Sequence, residues 1–364
     1  MTSSLGTIEF QRLSKIPKKF HSSHEFCFFL HDSMLNMFKE LAKTNYPTIK
    51  LNFEDKDEAA RFQSSPDPIN YFLEIGRRDI VKELTVGQAM MAVWGDFFNF
   101  VYEALRALEK RKFVVALALL RKPLKENLLI LTMMLVDEDV FFDGLETSPA
   151  TSFGHPAIQD SHRKKYFSEA KKLIPFGDFI DPAYLHDLIY DVSLSAGFAP
   201  LFDKAMHLVT NRNQIKTEDL NLNFIFKDPR QDDVYSWIYK SLSYVLMYSI
   251  LLQIELFRKT GADSDKLANW YSLTGLGSYD SLFVKGQSRM VNSMNRFLKP
   301  FLVCPHCDKP VKIAKSSAAK FFITHAITCK HCGLDHDFPL FWLMSKSKWS
   351  ISDDGEAIED SEQR

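Results

Sequence analysis

Between His24 and Leu41 the apolar residues Cys27, Leu30, Met34, Phe38 and Leu41 recur every three or four positions, the period of an amphipathic helix. Asn45-Tyr46-Pro47 ends it. Residues 1–20 are polar and basic and predict a loose lead-in; residues 50–68 are charged, finish in 64-SSPDP-68 and predict a connector. Thr85 and Gln88 have the spacing of a capping box, so a helix is expected to start at Thr85. Its apolar face would be Met90, Trp94, Phe97, Val101, Leu105 and Leu108, and 110-KRK-112 would place positive charge at its negative end. A second helix follows over 113–136. Pro123 removes one backbone donor inside it, so a kink or short break is expected there.

Residues 143–163, with Pro149, Gly154 and Pro156, predict irregular chain. Helical pieces are expected over 163–173 and 182–192, and 210-TNRNQIKTEDLNLNF-224 predicts a loop. A long helix is expected from Asp232 to Lys259, closed by Gly261, with Asp232 and Asp233 at its positive end. The two glycines in 272-SLTGLGSYDSLF-283 suggest a turn region. Strand-like segments appear only after residue 300, in 310-PVKIA-314, 320-KFFIT-324 and 336-HDFPLFWLM-344. The pattern therefore predicts a mainly α protein: a multi-helix body with a small carboxy-terminal β module. The expected segments are an amino-terminal helix and connector (1–68), a helical body (69–299), the module (300–348) and a disordered acidic tail (349–364).

Composition sharpens this picture. Hydrophobic residues make up 46% of the 364 positions, 31 residues are Phe and only 14 are Gly, which suits a chain with a sizeable core. The formal net charge of −1 gives no global attraction to nucleic acid or acidic membranes. The amino terminus lacks a signal-peptide pattern. The run 242-LSYVLMYSILLQI-254 lies between Lys240 and Glu255 and falls short of the roughly 20 apolar residues a span requires, so it predicts a buried helix. No membrane contact is expected, and the location expected is cytoplasmic, where thiols stay reduced and paired cysteines suggest a metal before a disulfide.

Four of the five cysteines stand in two matched pairs, 304-CPHC-307 and 329-CKHC-332. Thiolates are soft donors that suit a tetrahedral zinc ion, and two intervening residues let one tight turn aim both sulfurs at it. Gly333, directly behind the second pair, permits a left-handed turn. Cys304, Cys307, Cys329 and Cys332 are therefore the predicted ligands of Zn2+. Four thiolates leave no open position, so the ion would be structural rather than catalytic. A redox dithiol would call for a βαβ context that the pattern lacks. A mixed site would draw on His325, His331 or His336, but His306 and His331 lie between their pair's cysteines and should point away. Cys27 stands alone on a helical face and predicts a core residue.

The two pairs, their spacing and the glycine resemble a zinc ribbon over about residues 300–345. That resemblance implies a small β module on two cysteine knuckles. From Lys285 to Lys348 there are 11 Lys or Arg against 3 Asp or Glu. Phe297, Phe301, Phe321, Phe322, Phe341 and Trp342 are interleaved with them. Basic charge beside aromatic rings suits single-stranded nucleic acid, with Arg296, Lys312, Lys315 and Lys320 as candidate contacts. The alternative is that the rings pack the module or dock it on the body or on a partner protein. The oligomeric state is not set by the sequence.

In the body, 116-ALALLRKPLKENLLIL-131 is similar to a helix of uncharacterised bacterial all-helical proteins near the abortive-infection and HEPN-like folds, with Arg121 and Glu126 as the matching residues. That similarity implies a helical scaffold and, as the alternative function, a ribonuclease-like effector of bacterial defence. HEPN-like ribonucleases carry an Arg, a polar residue and a His a few positions later. Arg212-Asn213 begins such a motif, but Thr217, Glu218 and Asp219 stand where the His would be. His155 and His162, with Asp160 and either Asp143 or Glu146, are a further candidate metal group. His21 and His24 lie near an end expected to be loose, and no carboxylate partner is expected for them. There is no G-x-S-x-G elbow, phosphate-binding glycine loop or H-E-x-x-H helix.

Overall fold

Helix α1, His21–Lys43, realises the first apolar stripe and buries Phe26, Cys27, Leu30 and Met34. The computed structural model describes residues 4–153, 158–211, 216–217, 219, 222–223, 232–261, 265–346, 349–351 and 357–359. The lead-in before α1 is anchored, contrary to the sequence expectation. Leu5, Leu13, Ile16 and Phe20 are buried. The buried Glu25 carboxylate accepts hydrogen bonds from the backbone N–H groups of Leu5 (2.6 Å), Gly6 (2.8 Å) and Thr7 (3.0 Å). One carboxylate thus satisfies three consecutive amides, which lets a polar segment lie against the core.

The predicted connector contains two short helices, α2 (Lys56–Ser64) and α3 (Pro68–Glu74). Asp55 caps the first and Asp67 the second, with Pro68 at the first helical position, where its missing N–H costs nothing. Helix α4, Arg78–Glu109, starts before Thr85 because Ile80 and Val81 extend the buried face. Thr85 and Gln88 therefore lie inside the helix, and their capping spacing is coincidental. Pro123 divides the next helix as expected. Helix α5 (Phe113–Lys122) passes through a π turn, Pro123–Asn127, into α6 (Leu128–Val136). The Leu128 N–H reaches back to the Pro123 carbonyl, which absorbs the register shift.

The segment expected to be irregular carries α7 (Glu138–Thr147) and a short turn of helix, Pro149–Phe153. Helices α8 (Asp160–Leu173), α9 (Pro182–Tyr190) and α10 (Ala199–Met206) follow. The described residues of 210–224 carry no helix or strand. The long helix is α11, Asp233–Lys259, closed at Gly261 in a left-handed conformation (φ 81°). Residues 272–283 are not a turn but the latter part of α12, Asp265–Phe283. Their glycines serve close packing. A β-carbon on Gly275 would sit 3.2 Å from the Met247 sulfur, and one on Gly277 would sit 2.7 Å from the Phe322 ring.

Helix α13, Arg289–Phe297, is capped by Ser288 and leads into the cysteine module. There the predicted strand 320–324 is instead part of α14, Lys315–Thr324, whose Phe321 and Phe322 are buried. Strand β1 (Ala326–Thr328) pairs antiparallel with β2 (Asp335–Asp337), Ile327 opposite His336. The third predicted strand continues from β2 into helix α15, Leu340–Lys346. Within the acidic tail, β3 (Trp349–Ile351) pairs antiparallel with β4 (Ala357–Glu359).

Helix α11 is the axis of the body and packs on α1, α6 and α12. It is apolar on nearly every face, as a helix enclosed by others must be. Buried polar groups tie it to its neighbours: Tyr235 donates to the Leu108 carbonyl (2.8 Å) and the Gln253 amide to that of Met34 (3.0 Å). No helix among the described residues is long and apolar enough to cross a membrane. One continuous apolar core runs from Leu5 to Met344 and includes Phe321 and Phe322 of the module.

Candidate metal centre

The two cysteine knuckles are near copies of each other. In the first, the Cys304 N–H donates to the Lys309 carbonyl and the Asp308 N–H to the Cys304 carbonyl, both at 2.9 Å. In the second, the Cys329 N–H donates to the Leu334 carbonyl and the Gly333 N–H to the Cys329 carbonyl, again at 2.9 Å. The residue after each pair is left-handed: Asp308 at φ 54° and Gly333 at φ 78°. The sequence showed only the glycine. Asp is among the few residues that tolerate this region, so the same turn is built with either.

The knuckles place their sulfurs together. Cys304 Sγ lies 3.7 Å from Cys332 Sγ, and Cys307 Sγ lies 3.8 Å from Cys329 Sγ. All four sulfurs fall within 4.8 Å of one another. Zinc–sulfur bonds of about 2.3 Å give a tetrahedron with edges of about 3.8 Å, which matches. A disulfide would need about 2.05 Å. Among the described residues this is the only group of three or more Cys, His, Asp or Glu ligand atoms close enough to hold a metal.

Backbone amides support thiolate character. Those of Cys332 and His331 point at the Cys329 sulfur and pull its thiol down to about 6. At Cys307 the Lys309 amide acts in the same direction but is outweighed by burial and three neighbouring sulfurs, and the thiol stands at about 12. Four sulfurs at this spacing cannot all be anionic without a cation among them, and a divalent ion removes that conflict. His306 and His331 are exposed and outside the cluster, as expected. His325 stays clear of it too, its ring 5.4 Å from that of Trp270.

The module is fastened to the body by side chains that sequence spacing had suggested for other roles. Lys315 donates to the carbonyls of Val284 (2.7 Å) and Gly286 (2.8 Å). Lys320 instead pairs inside the module, with Asp335 at 3.0 Å. Asn295 brackets Ile313, donating to its carbonyl and accepting from its N–H, both at 2.9 Å. Arg296 and Lys312 are exposed. Of the interleaved aromatics, Phe321 and Phe322 are core, Phe297 is half-buried, and Phe301, Phe341 and Trp342 are exposed.

Arg121, just before the π turn, and Glu126, within it, meet at 3.6 Å, both partly exposed. Such a pair contributes at most about 1 kcal/mol. Glu126 lines a cavity of about 30 Å³ with Arg163 and Tyr190, too small for a nucleotide. Among the described residues the candidate histidine metal group does not assemble. Asp143 and Glu146 both bind Arg78, at 2.5 and 2.7 Å. Asp160 accepts from His186 at 2.8 Å, and His162 is exposed. His155, Arg212 and Asn213 lie outside the described residues. Cys27 is a core residue, 3.4 Å from the Ser243 hydroxyl, with its thiol pushed up to about 12 by burial.

His21 and His24 are both buried, not loose. His24 also has a carboxylate partner: its Nε2 faces Glu109 Oε1 at 3.4 Å and its Nδ1 faces the Tyr239 hydroxyl at 2.9 Å. Glu109 further binds Arg12 (2.6 Å) and Arg106 (2.7 Å). Burial lowers the pKa of His24 and raises that of Tyr239 far above the ordinary phenol range. The partners lie 85 and 215 positions away in the chain, so no local spacing signals the network.

No family model, curated protein or solved structure matches this chain.

Proposed function

We propose that this chain is a binding protein whose cysteine module, closed by a structural zinc ion, holds single-stranded nucleic acid against the helical body. The observation that carries this reading is a groove of about 410 Å³ where module and body meet. Phe28, Trp270 and Tyr271 line it from the body and His325 and Phe341 from the module, with Arg12 at its side. Arg12 and Asp32 are its charged lining residues; flat rings beside a guanidinium suit unstacked bases and their phosphates. The module exposes Lys309, Lys312 and Lys330, α13 exposes Arg296, and the module's Asp335 is spent on Lys320 and Thr328. Zinc would supply no chemistry to a substrate here, because four sulfurs fill its coordination sphere. Its part is to hold the two knuckles, and through them α14 and α15, in register with α12.

The ribonuclease-like alternative has less support, since Arg121 and Glu126 are engaged with each other and the cavity that Glu126 lines holds only about 30 Å³. The deciding measurement is fluorescence anisotropy of a labelled 20-nucleotide RNA and its DNA counterpart. Retention of intact strand that weakens steeply with salt, and at least tenfold on Trp270→Ala, supports the reading. Absence of retention at 50 mM salt overturns it and leaves protein contact for this surface; strand cleavage favours the enzyme.

A further inference from the structure

A second cavity, of about 320 Å³, opens between the Gly177–Phe179 turn and helices α11, α12 and α13. Its walls include the rings of Phe179, Tyr244 and Tyr279 and the side chain of Met290. Two charged residues reach it, Asp280 of α12 and Arg289 of α13. They are not paired with each other or with any other charged group among the described residues. Asp280 Oδ2 is buried and has no hydrogen-bond partner there. The Tyr244 hydroxyl at the same wall is already engaged, accepting from the Asp181 N–H at 2.7 Å. A carboxylate oxygen withdrawn from water and left without a donor is costly. Its occurrence at the wall of a mainly aromatic and apolar cavity, which Gln287 and Arg289 also line, marks a place where a donor arrives from outside.

The geometry points to this cavity as a binding site for a small primary amine with an aromatic or branched aliphatic body. The ammonium group would donate to Asp280 and lie near the faces of the aromatic rings, which attract cations. The apolar body would fill the rest of a cavity that lies at the lower end of the size range of ligand pockets, about 300–1,000 Å³. Two sources share this chemistry, a free amine and an α-amino acid. Only the second uses Arg289, whose guanidinium matches a carboxylate. This site is separate from the cysteine module and does not depend on the nucleic-acid reading.

Isothermal titration of the full chain with phenethylamine, L-phenylalanine and the neutral isostere phenethyl alcohol tests it. At least one of the two amines should bind, the alcohol at least tenfold more weakly, and Asp280→Asn should weaken the amine at least tenfold. A loss for L-phenylalanine alone on Arg289→Gln assigns the site to amino acids; tighter binding of phenethylamine, unchanged by that substitution, assigns it to free amines. If neither amine binds the unaltered protein, if the alcohol binds as well as the amines, or if Asp280→Asn leaves affinity unchanged, the assignment is wrong. The alcohol comparison needs no variant, so it decides the matter even if Asp280→Asn fails to fold.

Discussion

Gly277 in α12 and Phe322 in α14 approach so closely that a β-carbon at position 277 would lie 2.7 Å from the aromatic ring. Phe322 is fully buried, so the ring cannot simply swing aside. Gly277→Ala should gain about 1 kcal/mol of helix propensity and lose more than that to overpacking, about 1–3 kcal/mol. The expected outcome is a lower thermal midpoint, partly restored when Phe322→Leu is added. A midpoint equal to or above that of the parent chain would show that the two helices are free to separate.

One metal equivalent per chain is expected by elemental analysis of purified protein. Cys304→Ser and Cys332→Ser should each reduce zinc content and lower the thermal midpoint, since each leaves three thiolates facing a hydroxyl. His306→Ala and His331→Ala should leave the stoichiometry at one. A histidine substitution that removes the metal would place that ring in the coordination sphere and refute the all-sulfur assignment.

Acid should weaken the fold through the His24–Glu109–Tyr239 network. Burial holds the folded-state pKa of His24 below its ordinary 6.5. The unfolded chain therefore binds this proton more readily, so the contribution is fully present above about pH 6.5 and declines as pH falls below it. Burial alone would raise the Glu109 pKa, but its bonds to His24 and Arg12 prevail and hold it below the ordinary 4.5. Its contribution is lost only at more acid pH, as the solution passes below the ordinary carboxylate range. Denaturant midpoints taken from pH 7.5 to 5.5 should fall, and His24→Gln should flatten that slope. A slope unchanged in the variant would assign the acid response to other groups.

If strands bind at the module, exposed Lys312 should matter more than Lys320, whose ammonium is paired with Asp335. Lys312→Ala and Arg296→Ala should weaken retention and reduce the salt slope by about one each. Lys320→Ala should act mainly on stability, because its ammonium is held by Asp335. Equal losses for all three would indicate a diffuse charge effect instead of a defined surface.

The features legible in the sequence were those written in local spacing. The stripe of α1, the proline break between α5 and α6, the enclosed helix α11 and the four sulfur ligands each depend on residues a few positions apart. What failed also has local causes. Thr85 and Gln88 satisfy a capping pattern, yet Ile80 and Val81 give the helix a buried face before them. The glycines of 272–283 look like turn residues, but what they meet is Met247 and Phe322, and only the folded chain reveals that. The spacer between the cysteine pairs holds apolar residues that suit a strand or a helix equally well, and packing of Phe321 and Phe322 chose the helix. The Glu25 anchor and the His24 network join distant segments, and spacing is silent about such pairs.

Helix α11 carries a consequence for how this chain is made. Its first partner, α1, leaves the ribosome some 200 residues earlier, as the 216-residue separation of Cys27 and Ser243 makes plain. Throughout that interval α1, α4 and α6 can begin to pack on one another, but the faces of α1 and α6 that meet α11 stay uncovered. Late closure of this kind is slow and exposes nascent chains to aggregation. Truncations ending before residue 233 should therefore yield insoluble material, and synthesis of the intact protein should draw heavily on chaperones until the last of α11 has emerged.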